Sequence, residues 1–266
     1  MCAKLNQFLS RLIPEGPLKD AFTSSYYKLY YNRRHFGENE FYVYYRDGYF
    51  IYRFENGVEF ASYQNMADEL KRSLKGYLAR YPLKTGDIVV DCGAYIGEFA
   101  LYAAKAVGSS GRVVAFEPDR EAFRKLEANV RLNGLANVTT VNKGVWSCEG
   151  VLKFVGDAVR GYSFMIADKG ASAVDIPVVR LDAELARLGI RVVNFIKVDV
   201  EGAEIEFIKG AAETLKNGSV NLAIASYHEV AGRKTFTEIE RMLTELGYRA
   251  ETSHPRHLTT YGWKEN

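Results

Sequence analysis

The stretch VVDCGAYIGEF, Val89 to Phe99, puts a carboxylate at the end of an apolar run and follows it with Gly93, Ala94, Tyr95 and Gly97. Glycines in such a turn let a ligand approach the backbone and let the next helix pack closely on the strand. Alone, the pattern reads equally as an ordinary βα turn. Two features sharpen it. Asp91 stands where a dinucleotide-binding turn more often has its first glycine, and a carboxylate there suits a cationic group better than a pyrophosphate. The next apolar run ends in Phe116-Glu117-Pro118, with Glu117 placed 26 residues beyond Asp91. A carboxylate at that point can accept hydrogen bonds from both hydroxyls of a ribose, although a solvated loop acid would look the same. Asp91 and Glu117 would then hold opposite ends of an adenosine-linked amino acid. Asn142, closing a third run, reads either as a neighbour of the adenine or as a turn residue.

These residues need a sheet to position them. From Asp87 onward short apolar runs alternate with helical periodicity, the pattern of a parallel sheet with helices on both faces. The spacing predicts strands at 88–91, 112–117, 138–142, 194–200 and 220–227, with two short terminal strands at 248–252 and 258–263. Helices are expected at 97–107, 120–132, where Phe123, Leu126 and Val130 face inward, and 236–246. Asn133-Gly134 supplies a helix stop. The runs 151–155 and 162–166 are expected to pair as an inserted hairpin.

The amino-terminal part differs in composition: 12 of the 18 tyrosines precede Lys84. Between Phe41 and Tyr63 aromatic segments are separated by Asp47-Gly48 and Asn56-Gly57, which favour hairpin turns, so a three-stranded meander is expected. A helix over 64–78, with Met66, Leu70, Leu74 and Leu78 in one stripe, leads to a hinge at 82–86. The expected organisation is a small α+β domain over 1–81 and a larger domain over 82–266. The tyrosines either shape an acceptor pocket or pack the small sheet, and packing is the simpler reading.

A net charge of +2 gives no bias toward nucleic acid or anionic lipid. Cys2, Cys92 and Cys148 make neither a metal-ligand spacing nor an even disulfide set. No apolar run reaches the roughly 20 residues that span a bilayer, and Asn6, Gln7, Ser10 and Arg11 break up any signal-peptide core. A cytoplasmic location is the expectation.

The segment FIKVDVEGAEIEFIKGA, Phe195 to Ala211, adds a second block. With DCGAYIGEF upstream and PVVRLDAEL between them, the chain resembles the FkbM-type family of class I methyltransferases over about residues 81–228. The resemblance implies a Rossmann-like, seven-stranded and mostly parallel sheet with its last strand antiparallel. It also implies S-adenosylmethionine as methyl donor and usually an oxygen nucleophile. At one place the chain departs from the family pattern. After the fifth strand the family tends to have an acid before a histidine; here the residues run Ile224-Ala225-Ser226-Tyr227-His228.

Methyl transfer from a sulfonium is an in-line displacement, helped chiefly by positioning and by a group that receives the hydroxyl proton. Lys197, Asp199, Glu201, Glu204 and His228 are the candidates, since they gather at the carboxyl ends of the fourth and fifth strands. His228 is the preferred base, its ordinary pKa being nearest neutrality. Lys197 has the alternative of a buried ion pair, and Glu204 that of a helix cap. Asp199, Glu201 and His228 could instead gather a divalent cation such as magnesium or manganese, a reading ranked below the metal-free one. The expected function is O-methylation of a small molecule or carbohydrate, with neither nucleic acid nor membrane as partner. The rivals are a nicotinamide-dependent oxidoreductase, disfavoured by Asp91 and the lack of GxGxxG, and a cofactor-binding module without catalysis.

Overall fold

The computed structural model describes residues 14, 16–34, 41–157, 162–166, 174–230, 232–253 and 257–265. Two units are formed, over 1–71 and 72–266.

In the first unit Pro17, at the opening turn where its missing N–H costs nothing, starts helix α1 (Pro17–Tyr26). A wider helical turn over Tyr27–Tyr31 continues it, and neither was expected from the residue pattern. Strands β1 (Phe41–Arg46), β2 (Tyr49–Phe54) and β3 (Glu59–Ser62) form the expected meander. Asp47 and Gly48, both at positive φ, turn the first hairpin. Tyr52 is fully buried and stacked on Phe60 at 4.8 Å between ring centres. Its hydroxyl and that of Tyr27 both meet Asn65. These tyrosines pack the small sheet. Helix α2 (Ala67–Tyr77) then carries the chain into the second unit.

The second unit holds a seven-stranded sheet. Its parallel members are β4 (Ile88–Cys92), β5 (Arg112–Phe116), β6 (Val138–Val141), β11 (Phe195–Val198) and β12 (Asn221–Ala225). The remaining two, β15 (Arg249–Ser253) and β16 (Thr259–Trp263), complete the order β15-β16-β12-β11-β4-β5-β6. Only β16 opposes its neighbours on both sides. Strand order reverses between β4 and β11, and ligands bind outside the carboxyl ends of the strands at such a reversal.

Alternation along the strands sorts the two faces. Val90, Cys92, Val114, Phe116, Ile196, Val198 and Ile224 enter one buried core with Leu181, Leu185, Phe207, Ile208, Leu215, Ile239 and Leu243. The latter come from helices α5 (Leu181–Arg187), α6 (Glu204–Gly210), α7 (Ala212–Asn217) and α8 (Phe236–Glu245). The other face receives α3 (Glu98–Val107), whose Phe99 lies 6.1 Å from Phe195 between ring centres.

Helix α4 (Arg120–Leu132) starts under the Asp119 side chain, which accepts from the Ala122 amide at 2.7 Å, and stops before Gly134 at φ 60°. Its buried stripe is Ala122, Leu126 and Asn129, with Phe123 and Val130 only half-buried. Asn129 takes an inward place because its amide donates to the Ile96 carbonyl at 2.9 Å. The expected hairpin exists as β8 (Gly150–Asp157) and β9 (Tyr162–Ile166), but it belongs to a four-stranded second sheet. That sheet adds β7 (Gly144–Val145) and β10 (Val174–Val179) in the order β7-β10-β8-β9. A two-stranded hairpin, β13 (Glu229–Val230) with β14 (Arg233–Lys234), follows β12.

Candidate active site

Parallel pairing of β4 with β11 sets Asp91 directly beside Lys197. Asp91 is fully buried and Lys197 nearly so; Lys197 Nζ lies 2.9 Å from Asp91 Oδ1 and donates to the Gly93 carbonyl at 2.6 Å. Burial alone would lower the lysine pKa, yet the Asp91 and Asp199 carboxylates outweigh it and hold it above its ordinary value. Lys197 is therefore an ion-pair partner that pins the glycine turn. Asp91 is turned toward the lysine, and burial, opposed by Lys197, raises its pKa.

The turn itself is tight. Gly93 and Ala94 donate their amides to the Phe116 carbonyl at 3.0 and 2.9 Å. Gly93 has φ 79°, and a Cβ there would lie 1.8 Å from the Asp199 carbonyl oxygen. Gly97, at φ 98°, faces Leu126 Cδ1 so closely that a Cβ would stand 2.6 Å away. Both glycines are thus required by chain packing, one by the loop after β11 and the other by α4.

Tyr95, left-handed at φ 50°, donates its amide to Glu117 Oε2 at 2.7 Å. Glu117 Oε1 accepts from the Asp119 amide at 2.8 Å. Burial pushes the Glu117 carboxyl up to about 7 against the pull of those two amides. A carboxylate offers about four acceptor sites, so two remain for a pair of ribose hydroxyls. The Asn142 amide donates to the Glu117 and Pro118 carbonyls at 2.8 and 3.2 Å, fixing the strand end that bears Glu117.

A second cluster forms where β11 and β12 end. His228 sits among three carboxylates, with Nδ1 2.8 Å from Glu204 Oε1 and Nε2 3.2 Å from Glu201 Oε2 and 3.7 Å from Asp199 Oδ1. Glu204 is completely buried at the start of α6 and also accepts from the Gly202 amide at 3.0 Å. It ties the Gly202 loop to the helix start and partners the imidazole at once. The acid missing before Tyr227 is thereby replaced from another element. Ser226, standing in its stead, is buried and accepts at 2.9 Å from Thr260, itself 2.7 Å from Thr252. Burial would lower the His228 pKa, but Glu201 and Glu204 raise it to about 10. The near-neutral value expected of a free imidazole is therefore not the value this site provides.

Three residues of the cluster were invisible as site residues in the sequence. Tyr77, buried at the end of α2, donates its hydroxyl to Asp199 Oδ2 at 2.7 Å. Tyr227 reaches both Asp199 oxygens at 3.3 and 3.4 Å. His257 approaches the rings of Tyr77 and Tyr227 at 4.8 and 5.3 Å between centres. No pattern in the sequence singled out Tyr227, and the others arrive from segments about 120 residues before Asp199 and 60 after it (199−77 and 257−199).

The FkbM methyltransferase domain matches residues 91–250, more than half of the chain. The chain belongs to the FkbM methyltransferase family. It is similar to methyltransferase sdnD of Sordaria araneosa, with 29% identity over 62% of this chain and 75% of that protein. It is also similar to the hexuronic acid methyltransferase AglP of Haloferax volcanii, with 30% identity over 58% of this chain and 61% of the relative. The crystal structure of FkbM methyltransferase from Methylobacillus flagellatus shares the fold at a TM-score of 0.53 and 19% identity; the match covers 97% of this chain and 58% of that one. The FkbM domain thus spans the glycine turn, Glu117, Asp199, Glu201, Glu204 and His228, with Tyr77 and His257 outside it. No helix among the described residues is long and apolar enough to cross a membrane.

Proposed function

We propose that this chain transfers a methyl group from S-adenosylmethionine to a hydroxyl of a small molecule or carbohydrate. The observation that carries this reading is the pair of clusters flanking the strand-order reversal, Glu117 with its free acceptor capacity on one side and Asp199, Glu201 and His228 on the other. The similarity to a hexuronic acid methyltransferase supports a sugar-like acceptor.

When bound, S-adenosylmethionine supplies a methyl group on a positively charged sulfur. Glu117 would accept the ribose hydroxyls, and the Gly93–Gly97 turn would border the amino-acid end. Asp91 and Lys197 act as positioning residues that set the path of this turn. The cluster of Asp199, Glu201 and His228 would orient the acceptor hydroxyl in line with that methyl group, and a carboxylate of Asp199 or Glu201 would take its proton. Tyr77 and Glu204 hold that cluster in place.

Calorimetric titration with S-adenosylmethionine, its demethylated product and NAD tests the cofactor, and mass spectrometry of a panel of uronic acids and other polyols tests the acceptor. Binding of the first two ligands and not NAD is expected. Binding of NAD alone overturns the reading.

A further inference from the structure

The His228 side chain is nine-tenths buried, with both ring nitrogens within ion-pair distance of carboxylates. Its two nitrogens nevertheless face different surroundings. Nδ1 abuts the fully buried Glu204 at 2.8 Å, while Nε2 points toward the half-buried carboxylates of Asp199 and Glu201. One ligand atom from each of Asp199, Glu201 and His228 lies within 4.8 Å of the other two.

Those separations have a physical meaning. Two ligands at 2.0–2.1 Å from an octahedral ion stand about 3.0 Å apart when adjacent and about 4.2 Å apart when opposite. The 3.2 and 3.7 Å distances from Nε2 to the two carboxylates fit adjacent corners with small adjustments. A carboxylate behind the other ring nitrogen is the arrangement that fixes a ligating imidazole in orientation and tautomer, and Glu204 occupies that place. Asp199 is backed in the same manner: Tyr77 donates to Oδ2, while Oδ1, which accepts a longer bond from Tyr227 at 3.3 Å, lies 3.7 Å from Nε2.

We infer that Asp199, Glu201 and His228 bind one octahedral divalent cation, manganese or magnesium, with Glu204 and Tyr77 as its outer supports. Two carboxylate oxygens and one nitrogen leave three corners for water and for oxygens of the acceptor, an arrangement suited to vicinal hydroxyls. The inference deepens the methyl-acceptor role given to this cluster and rests on that reading for its purpose, though not for its geometry.

The test uses the full chain freed of metal by EDTA and titrated with Mn²⁺, the free ion being followed by electron paramagnetic resonance. Saturable binding of one equivalent is expected. Glu201→Gln, on a partly exposed loop, should weaken it at least tenfold, and Glu204→Gln, which alters no ligand, about 10–100-fold. Circular dichroism verifies that each variant is folded. Absence of saturable binding, or binding unchanged in both variants, overturns the site. Calorimetry with S-adenosylmethionine on the same EDTA-treated sample separates the two readings. Cofactor binding without Mn²⁺ binding rejects the cation and leaves the methyltransferase reading intact. Mn²⁺ binding sensitive to Glu201 without cofactor binding does the reverse.

Discussion

Lys197 and Asp91 are register partners on adjacent parallel strands, and their buried charges meet at 2.9 Å beneath the glycine turn. Lys197→Met would strand the Asp91 carboxylate in an apolar setting, at a cost of about 3–5 kcal/mol. Urea unfolding should show this loss, and adding Asp91→Leu should recover much of it. A single-variant loss below about 1 kcal/mol would mean that the pair is far more hydrated than its burial implies.

Glu117 links cofactor binding to pH. Its folded pKa of about 7 lies above the ordinary 4.5, so its contribution to stability is full below about pH 4.5 and is lost as the pH rises toward 7. Ribose hydroxyls favour the ionised form, so cofactor affinity should climb as the pH passes 7. Glu117→Gln should flatten both trends and lower affinity about 10–100-fold. Calorimetry between pH 5.5 and 8.5, in roughly the range this linkage covers, decides it; an unchanged slope in the variant removes Glu117 from the site.

Gly93→Ala and Gly134→Ala make a matched pair. Both glycines have positive φ, but a Cβ at 134 meets nothing within 4 Å whereas one at 93 strikes the Asp199 carbonyl. Gly134→Ala should cost about 1 kcal/mol of stability with cofactor affinity intact. Gly93→Ala should cost several times more and displace the loop bearing Asp199, so cofactor and Mn²⁺ affinity fall together. Equal effects of the two variants would deny that the loop and the turn are packed as found.

Tyr77→Phe removes one buried hydrogen bond to Asp199. Turnover is expected to fall about tenfold with cofactor affinity unchanged, in keeping with about 1.5 kcal/mol for a bond to a charged group. A change in affinity alone would place Tyr77 on the cofactor side.

Most of the scaffold was legible because the sheet writes itself into the sequence twice, as apolar strands and as their spacing. Arg120–Leu132 was readable at both ends from its cap and its Asn-Gly stop. The helix at Pro17–Tyr26 was not, since it buries only Thr23 and leaves Leu18 exposed, so no buried apolar face marks it. In the site, Asp199, Glu201, Glu204 and His228 were readable as a group because neighbouring strand ends gather them. Their roles were not: a buried lysine beside Asp91 and an imidazole among acids depend on three-dimensional register, which local spacing does not encode. Tyr77 and His257 lie too far along the chain for any local pattern to join them to Asp199.

Strand β16 lies between β12 and β15, so β15 has no neighbour in the sheet until β16 is in place. The two, paired antiparallel with each other, close the edge of β12. That closure also delivers Thr260 to Ser226, and the Ser226 amide to the Leu258 carbonyl at 3.0 Å, two residues before His228. The imidazole is thus locked by the step that seals the sheet edge. A protein whose hairpin has peeled away would keep its glycine turn and Glu117 yet lack an ordered acceptor side, so assembly of the sheet edge sets which half of the chemistry is ready first.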